Sequence, residues 1–215
     1  MTGATRTVAA FDFDKTLSTR DNVLAFLRSV AGTRRLVTAL AIASPLLVAA
    51  AIDRRRRDAA KAKVLRALLT GRDASELRAS GERFASAVVE HHLRDDVVAR
   101  LAWHREQGHE IALVSASLAT YLEPVGRFLG ADAVLATDLA VGADGRLTGG
   151  LSGANVRSEE KVRRLEAWIA GSTLANEAVV WAYGDSAGDR ELLARADHPV
   201  RVGRARLTRA PSASP

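Results

Sequence analysis

Val8-Ala9-Ala10-Phe11-Asp12-Phe13-Asp14-Lys15-Thr16-Leu17 passes from an apolar run straight into two acids separated by one residue. The run from Val8 to Phe13 predicts a buried strand whose C-terminal end carries Asp12 and Asp14. On a strand, residues two apart point to the same side. In open α/β sheets, ligands bind beyond the carboxyl ends of the strands. Two acids there can divide the work of attack and proton transfer if their surroundings differ. The plainer alternative is a strand that simply ends in solvated acids.

Working outward, the same pattern recurs. Glu110–Val114 predicts a second strand followed by Ser115-Ala116-Ser117, and Ala133–Ala136 a third. Ala178–Tyr183 predicts a fourth, running into Gly184-Asp185-Ser186-Ala187-Gly188-Asp189, and Val200–Val202 a fifth. Helical patterns fall between them at Asp96–Gln107, Ala119–Leu129, Ser158–Ala170 and Gly188–Ala196. This alternation predicts an α/β fold with a doubly wound parallel sheet. Leu139–Leu151 reads as two short arms about a Gly-Ala-Asp-Gly turn, a small β-hairpin. The stretch from Asp21 to Asp95 is helical throughout and predicts an inserted all-helical cap. Its expected helices are Asn22–Ala31, Arg34–Ile52 with a break at Pro45, Ala59–Leu69 and Ser75–His91. The expected organisation is therefore a core of residues 1–20 and 96–203, a helical cap of residues 21–95 and a flexible tail of residues 204–215.

Each motif has a structural and a chemical reading. Asp185 or Ser186 suits the cap of the helix beginning near Gly188. Equally, three or more carboxylates at one sheet edge need a cation, and hard oxygen donors favour Mg²⁺. Ser115 suits either a helix cap or a phosphate oxygen, with the nearby backbone N–H of Ala116. Lys161 alone reads as a solvated helix charge.

Taken in order, FDFDKT, VSAS, a lysine and GDSAGD resemble the four-motif pattern of the haloacid dehalogenase superfamily, over Phe11 to Asp189. The insertion after the first motif and the run Asp144-Gly145-Arg146-Leu147-Thr148-Gly149 are similar to its phosphoserine-phosphatase-like subfamily IB. The resemblance implies a phosphatase with Asp12 as nucleophile, Asp14 as acid and base, and Lys161 neutralising charge. Thr16, Ser115 and Ala116 would bind the phosphoryl group. Mg²⁺ would be held through Asp12, the Asp14 carbonyl and Asp185, with Asp189 supporting them. The dehalogenating branch does without the second aspartate of the first motif, and Asp14 is present here. In phosphoserine phosphatase a glutamate nine residues after the nucleophile reads the substrate amine. Asp21 takes that place, and its alternative role is to cap the following helix.

Composition bounds the rest. The 215 residues carry a net charge of +6, 47% hydrophobic residues and no cysteine. The cysteine count excludes disulfides and thiolate chemistry and is compatible with a cytoplasmic setting. The basic run Arg54–Arg57 has no interleaved aromatics, which argues against nucleic-acid binding. The expected partner is a small phosphate ester, such as phosphoserine or an amino-alcohol phosphate like histidinol phosphate. A non-catalytic binding module on the same fold is the competing class. Leu36–Ile52 holds 17 residues without a charge, bracketed by arginines. A complete span there would separate Asp12 from Ser115, Lys161 and Asp185. Two readings remain: a pair of buried helices, or an exposed apolar hairpin within 36–57 that touches a membrane and serves a lysophospholipid-type substrate.

Overall fold

A computed structural model describes residues 6–52, 56–171 and 178–207. Five parallel strands form one sheet: β1 (Thr7–Phe11), β2 (Glu110–Leu118), β3 (Ala133–Thr137), β6 (Val179–Gly184) and β7 (His198–Arg201), in the order β3-β2-β1-β6-β7. Alternate residues of β1 serve two cores. Ala9 and Phe11 face one cluster with Leu101, Tyr121 and Leu122, while Val8 and Ala10 face another with Leu165, Ile169 and Leu192. Helices therefore cover both faces, and the central strand β1 is apolar and buried from Val8 to Phe11. The chain winds outward from β1 to β2 and β3, then returns to β6 and β7. The end of β1 is thus the point where the winding reverses, which is where a crevice opens in such sheets.

The hairpin is β4 (Leu139–Val141) with β5 (Leu147–Leu151), as expected. Between β1 and β2 lie α1 (Val23–Ala31), α2 (Thr33–Ile52), α3 (Arg56–Leu69), α4 (Ala74–His91) and α5 (Asp95–Glu106). The hairpin is stitched to the α3–α4 connection by backbone hydrogen bonds, Gly71 N to Leu147 O at 2.8 Å and Ala74 N to Gly145 O at 3.0 Å. Gly149 makes this approach possible: its φ is +80°, and a Cβ there would meet Thr70 Oγ1 at 2.1 Å. The remaining helices are α6 (Ala119–Leu129), α7 (Glu159–Ala170) and α8 (Arg190–Arg195).

Several expectations need correction. β1 stops at Phe11, because Asp12 to Leu17 enter a tight turn with Lys15 at φ +61°. Conversely β2 continues through Ser115 and Ser117, pairing with β3 at Ser115 and, after a register shift, again at Leu118. Pro45 does not break α2, which runs unbroken to Ile52. Proline removes the bond to the carbonyl of residue 41. Ala41 and Pro45 both face outward, so water can take that carbonyl. Leu36–Ile52 is accordingly neither a pair of buried helices nor a hairpin: it is one helix that leaves Val37, Ile42 and Val48 exposed. No helix among the described residues is long and apolar enough to cross a membrane. Residues 204–207 of the expected flexible tail lie along the start of α5, where Arg94 donates to Gly203 O and Ala205 O and Leu207 N donates to Asp96 Oδ2. Residues 208–215, together with Arg54 and Arg55 of the basic run, lie outside the described residues.

Candidate active site

Asp12 leaves β1 at the sheet's reversal point, fixed there by its N–H on Tyr183 O at 2.9 Å. Its carboxylate is buried. One oxygen accepts from Lys161 Nζ at 2.6 Å and the other from Thr16 Oγ1 at 3.2 Å. Lys161 stands in the first turn of α7 and is itself buried. It donates equally to Asp189 Oδ1, also at 2.6 Å. The second oxygen of Asp189 accepts from Ser186 N and Ser186 Oγ. Gly184 makes room for this turn, since a Cβ there would lie 2.5 Å from the Asp189 Cβ.

One ammonium thus serves two buried carboxylates. Burial, followed by the nearby Asp189, pushes Asp12 upward despite Lys161. Burial also opposes the charge on Lys161, but Asp12 and Asp189 outweigh it and hold the ammonium above its ordinary value. Asp185 is half-buried and pushed up by burial and by the charges of Asp12 and Asp189. Asp12, Asp185 and Asp189 bring one carboxylate oxygen each within 4.8 Å of one another. Three acids against one buried lysine leave an excess of negative charge there. The donors are hard oxygens. This donor set fits a small divalent cation such as Mg²⁺.

Asp14 is not on the strand beside Asp12. The turn carries its carboxylate to a different set of partners: Asn22 N and Nδ2, both at 2.9 Å, and Ser117 Oγ at 2.7 Å. Tyr121 OH holds Ser117 in turn at 2.9 Å. Burial raises Asp14 to a pKa of about 6. The two acids of the first motif therefore have distinct environments, the arrangement that separates nucleophile from proton carrier. Asn22, Ser117 and Tyr121 were not picked out from the sequence. Ser117 had a signal, its place two residues after Ser115 in the same motif; Asn22 and Tyr121 had none.

Ser115 is buried beside Ser117, whose N–H reaches its Oγ at 3.3 Å. Ala116 lines a cavity of about 320 Å³ together with Asp14, Asp21, Lys61 and Arg157. The other walls are mostly apolar, from α1, α2 and α3. Lys61 reaches across from α3, donating to Ala116 O at 2.5 Å and Asn155 Oδ1 at 2.6 Å. Burial lowers its pKa to about 8. Nothing in the sequence distinguished Lys61 from its basic neighbours. Asp21 Oδ1 accepts from Val23 N at 3.1 Å at the start of α1, which is the capping role considered for it, and the residue also lines the cavity.

Protein CicA of Caulobacter vibrioides is 39% identical over 88% of this chain and 83% of its own. Histidinol-phosphatase of Neisseria meningitidis is 34% identical over 46% of each. Among solved structures, a protein of unknown function from Bordetella pertussis matches with a TM-score of 0.74 at 30% identity, over 89% of this chain and 87% of that one. A phospho-aspartyl intermediate analogue of phosphoserine phosphatase matches in fold, with a TM-score of 0.62 at 21% identity over 90% and 84%. The sequence pattern of the haloacid dehalogenase-like hydrolases covers residues 9–194. The chain belongs to the haloacid dehalogenase-like hydrolase family.

Proposed function

We propose that this hydrolase is a Mg²⁺-dependent phosphomonoesterase that works through an aspartyl-phosphate on Asp12. The observation that carries the reading is the buried set in which Lys161 bridges Asp12 and Asp189 at 2.6 Å each, with Asp185 alongside. A carboxylate attacking an anionic phosphate needs its charge offset, and this is where the offset is built in.

In the first step an Asp12 oxygen bonds to phosphorus as the bond from phosphorus to the ester oxygen breaks. Asp14 gives its proton to the departing alkoxide. In the second step Asp14 takes a proton from water, whose oxygen bonds to phosphorus. The bond to Asp12 breaks, releasing inorganic phosphate and restoring the carboxylate. A pKa of about 6 suits Asp14 to both directions of transfer. Thr16, Ser115 and the Ala116 N–H hold phosphoryl oxygens, and Lys161 balances the charge on Asp12. The Asp12 and Asp185 carboxylates and the Asp14 carbonyl, with Asp189 behind them, would hold Mg²⁺, which would supply further neutralisation of the phosphoryl oxygens.

Helices of residues 21–95 act as a cap over the core of residues 1–20 and 96–203, and the cavity beneath them takes the leaving group. Its volume suits a small alcohol. An amino-alcohol phosphate is one candidate, with Asp21 beside the amine; the resemblance to a histidinol-phosphatase and to phosphoserine phosphatase supports it. The apolar walls favour a second candidate, a leaving group with an aliphatic body. The cysteine-free sequence suits action in the cytoplasm.

The test is hydrolysis of a generic aryl phosphate by the purified full chain. Turnover should require Mg²⁺ and be inhibited by Ca²⁺, which prefers more ligands at longer distances. Full activity after exhaustive chelation contradicts the metal role. No turnover with any phosphate ester identifies a binding module instead.

A further inference from the structure

The outward face of α2 has no partner among the described residues. Leu36, Ala39 and Ala43 turn inward and are buried. Val37, Ile42 and Val48 are 59%, 53% and 67% exposed, and Ala41, Ser44 and Pro45 lie exposed among them. A surface helix ordinarily turns charged residues outward, yet no charge occurs from Leu36 to Ile52. Basic residues bracket the segment. Arg34 and Arg35 are exposed at its start, and the sequence run Arg54–Arg57 follows its end. In sequence the run is flanked by single acids, Asp53 and Asp58, and Asp58 accepts from Asn155 Nδ2 at 2.7 Å.

The leaving-group cavity lies directly behind this helix. Leu40, on the inner flank of α2, lines it with Leu27 and Val64. Leu24 of α1 is both part of its wall and 45% exposed, so the cavity reaches the surface beside α2. Its floor is Asp14.

We infer that the outward face of α2 docks on an anionic lipid surface, and that the cavity behind it takes the chain of an amphiphilic phosphate monoester presented there. An apolar face with a basic border binds in the membrane interface, gaining from buried apolar area and from attraction to anionic headgroups. α2 lies on such a surface without crossing it, which keeps Asp12, Lys161 and Asp185 in one compartment. Pairing with a second copy would set arginines against arginines in either helix orientation, so charge favours lipid as the occupant. The docking half is independent of the phosphatase reading; the substrate half rests on it.

Vesicle flotation tests the docking. The full chain should float with vesicles of phosphatidylcholine containing about one-third phosphatidylglycerol, and not with phosphatidylcholine alone. The triple variant Val37→Ser, Ile42→Ser, Val48→Ser should lose most of that binding while keeping its circular dichroism spectrum. None of the three belongs to the catalytic set, so hydrolysis of a soluble aryl phosphate should stay unchanged. For a long-chain alkyl phosphate in the same vesicles, kcat/KM should fall at least about tenfold in the variant. Flotation that is absent, or equal in wild type and variant, overturns the docking. So does a concentration-dependent dimer in sedimentation velocity that the variant abolishes, because α2 then meets a second copy. If the protein floats as expected but ignores the alkyl phosphate while cleaving the aryl phosphate, the substrate assignment is wrong. If it floats and cleaves neither, the phosphatase reading has failed and the docking stands.

Discussion

Lys161 Nζ lies 2.6 Å from Asp12 Oδ1, and both groups are buried. The pair is charged, desolvated and shared with Asp189, so the ammonium holds two carboxylates that would otherwise repel. Replacing Lys161 with Met removes the only cationic partner that either acid has among the described residues and leaves both buried. Breaking a buried pair in this way costs about 3–5 kcal/mol. Turnover of an aryl phosphate should fall by on the order of 10²-fold or more, and thermal unfolding should come at lower temperature. Added Mg²⁺ should recover part of the stability and little of the rate. A variant with wild-type stability would show that the triad does not hold the fold at this point.

Asp14 is positioned by Asn22 and Ser117, and Ser117 by Tyr121. Asp14→Asn should lower kcat by about 10²–10⁴-fold, the usual scale for a general acid and base. Ser117→Ala leaves the carboxyl in place but removes one of its three donors. Its kcat should fall by a smaller factor, with KM for the same ester little changed. Equal kcat in Ser117→Ala and wild type would show that Asn22 alone positions Asp14.

The motif residues were legible because each ends or follows an apolar strand, and the sheet's winding gathers those ends. Their partners were not. Asn22 reaches Asp14 from α1's start and Tyr121 reaches Ser117 from α6, around a turn whose positive φ at Lys15 has no glycine to announce it. Lys61 comes from a helix whose basic residues look alike in sequence. Leu36–Ile52 left two readings open for a definite reason: apolar composition says which residues avoid water, not whether a partner is there to cover them. The exposed side of α2 shows that here it is not.

The hairpin's attachment to α3 depends on Gly149. Alanine at that position would have to hold φ +80° and place its Cβ 2.9 Å from the Arg66 Cα. Strain at such a position costs about 1–3 kcal/mol. Gly149→Ala should therefore unfold at lower temperature, while kcat for an aryl phosphate, measured well below that temperature, changes little. Unchanged thermal stability would mean that the hairpin does not need this contact.

His104 makes stability depend on pH. It is buried, with Nε2 and Nδ1 each 2.8 Å from a partner, Tyr183 OH and His109 Nδ1. Arg100 donates to the same Tyr183 hydroxyl at 3.2 Å. Burial, then His109 and Arg100, lowers the His104 pKa to about 3, against about 6.5 for the unfolded chain. A group whose folded pKa is lowered stabilises fully above the unfolded value. The contribution is lost as pH falls from about 6.5 toward 3, because the unfolded chain takes up the proton first. Thermal unfolding followed from pH 7 to pH 4 should show this slope, and His104→Gln should flatten it. Identical slopes in the two proteins would contradict the assignment.

The central claim is that Asp12 carries the phosphoryl group. The direct measurement is an acid quench of the enzyme during turnover of a phosphate ester with Mg²⁺, followed by peptide mapping by mass spectrometry. One phosphoryl group should appear on the peptide containing Asp12, should vanish in Asp12→Asn, and should accumulate if hydrolysis is slowed by Asp14→Asn more than attack is. A phosphoryl group on another residue, or steady turnover by correctly folded Asp12→Asn, would contradict the account.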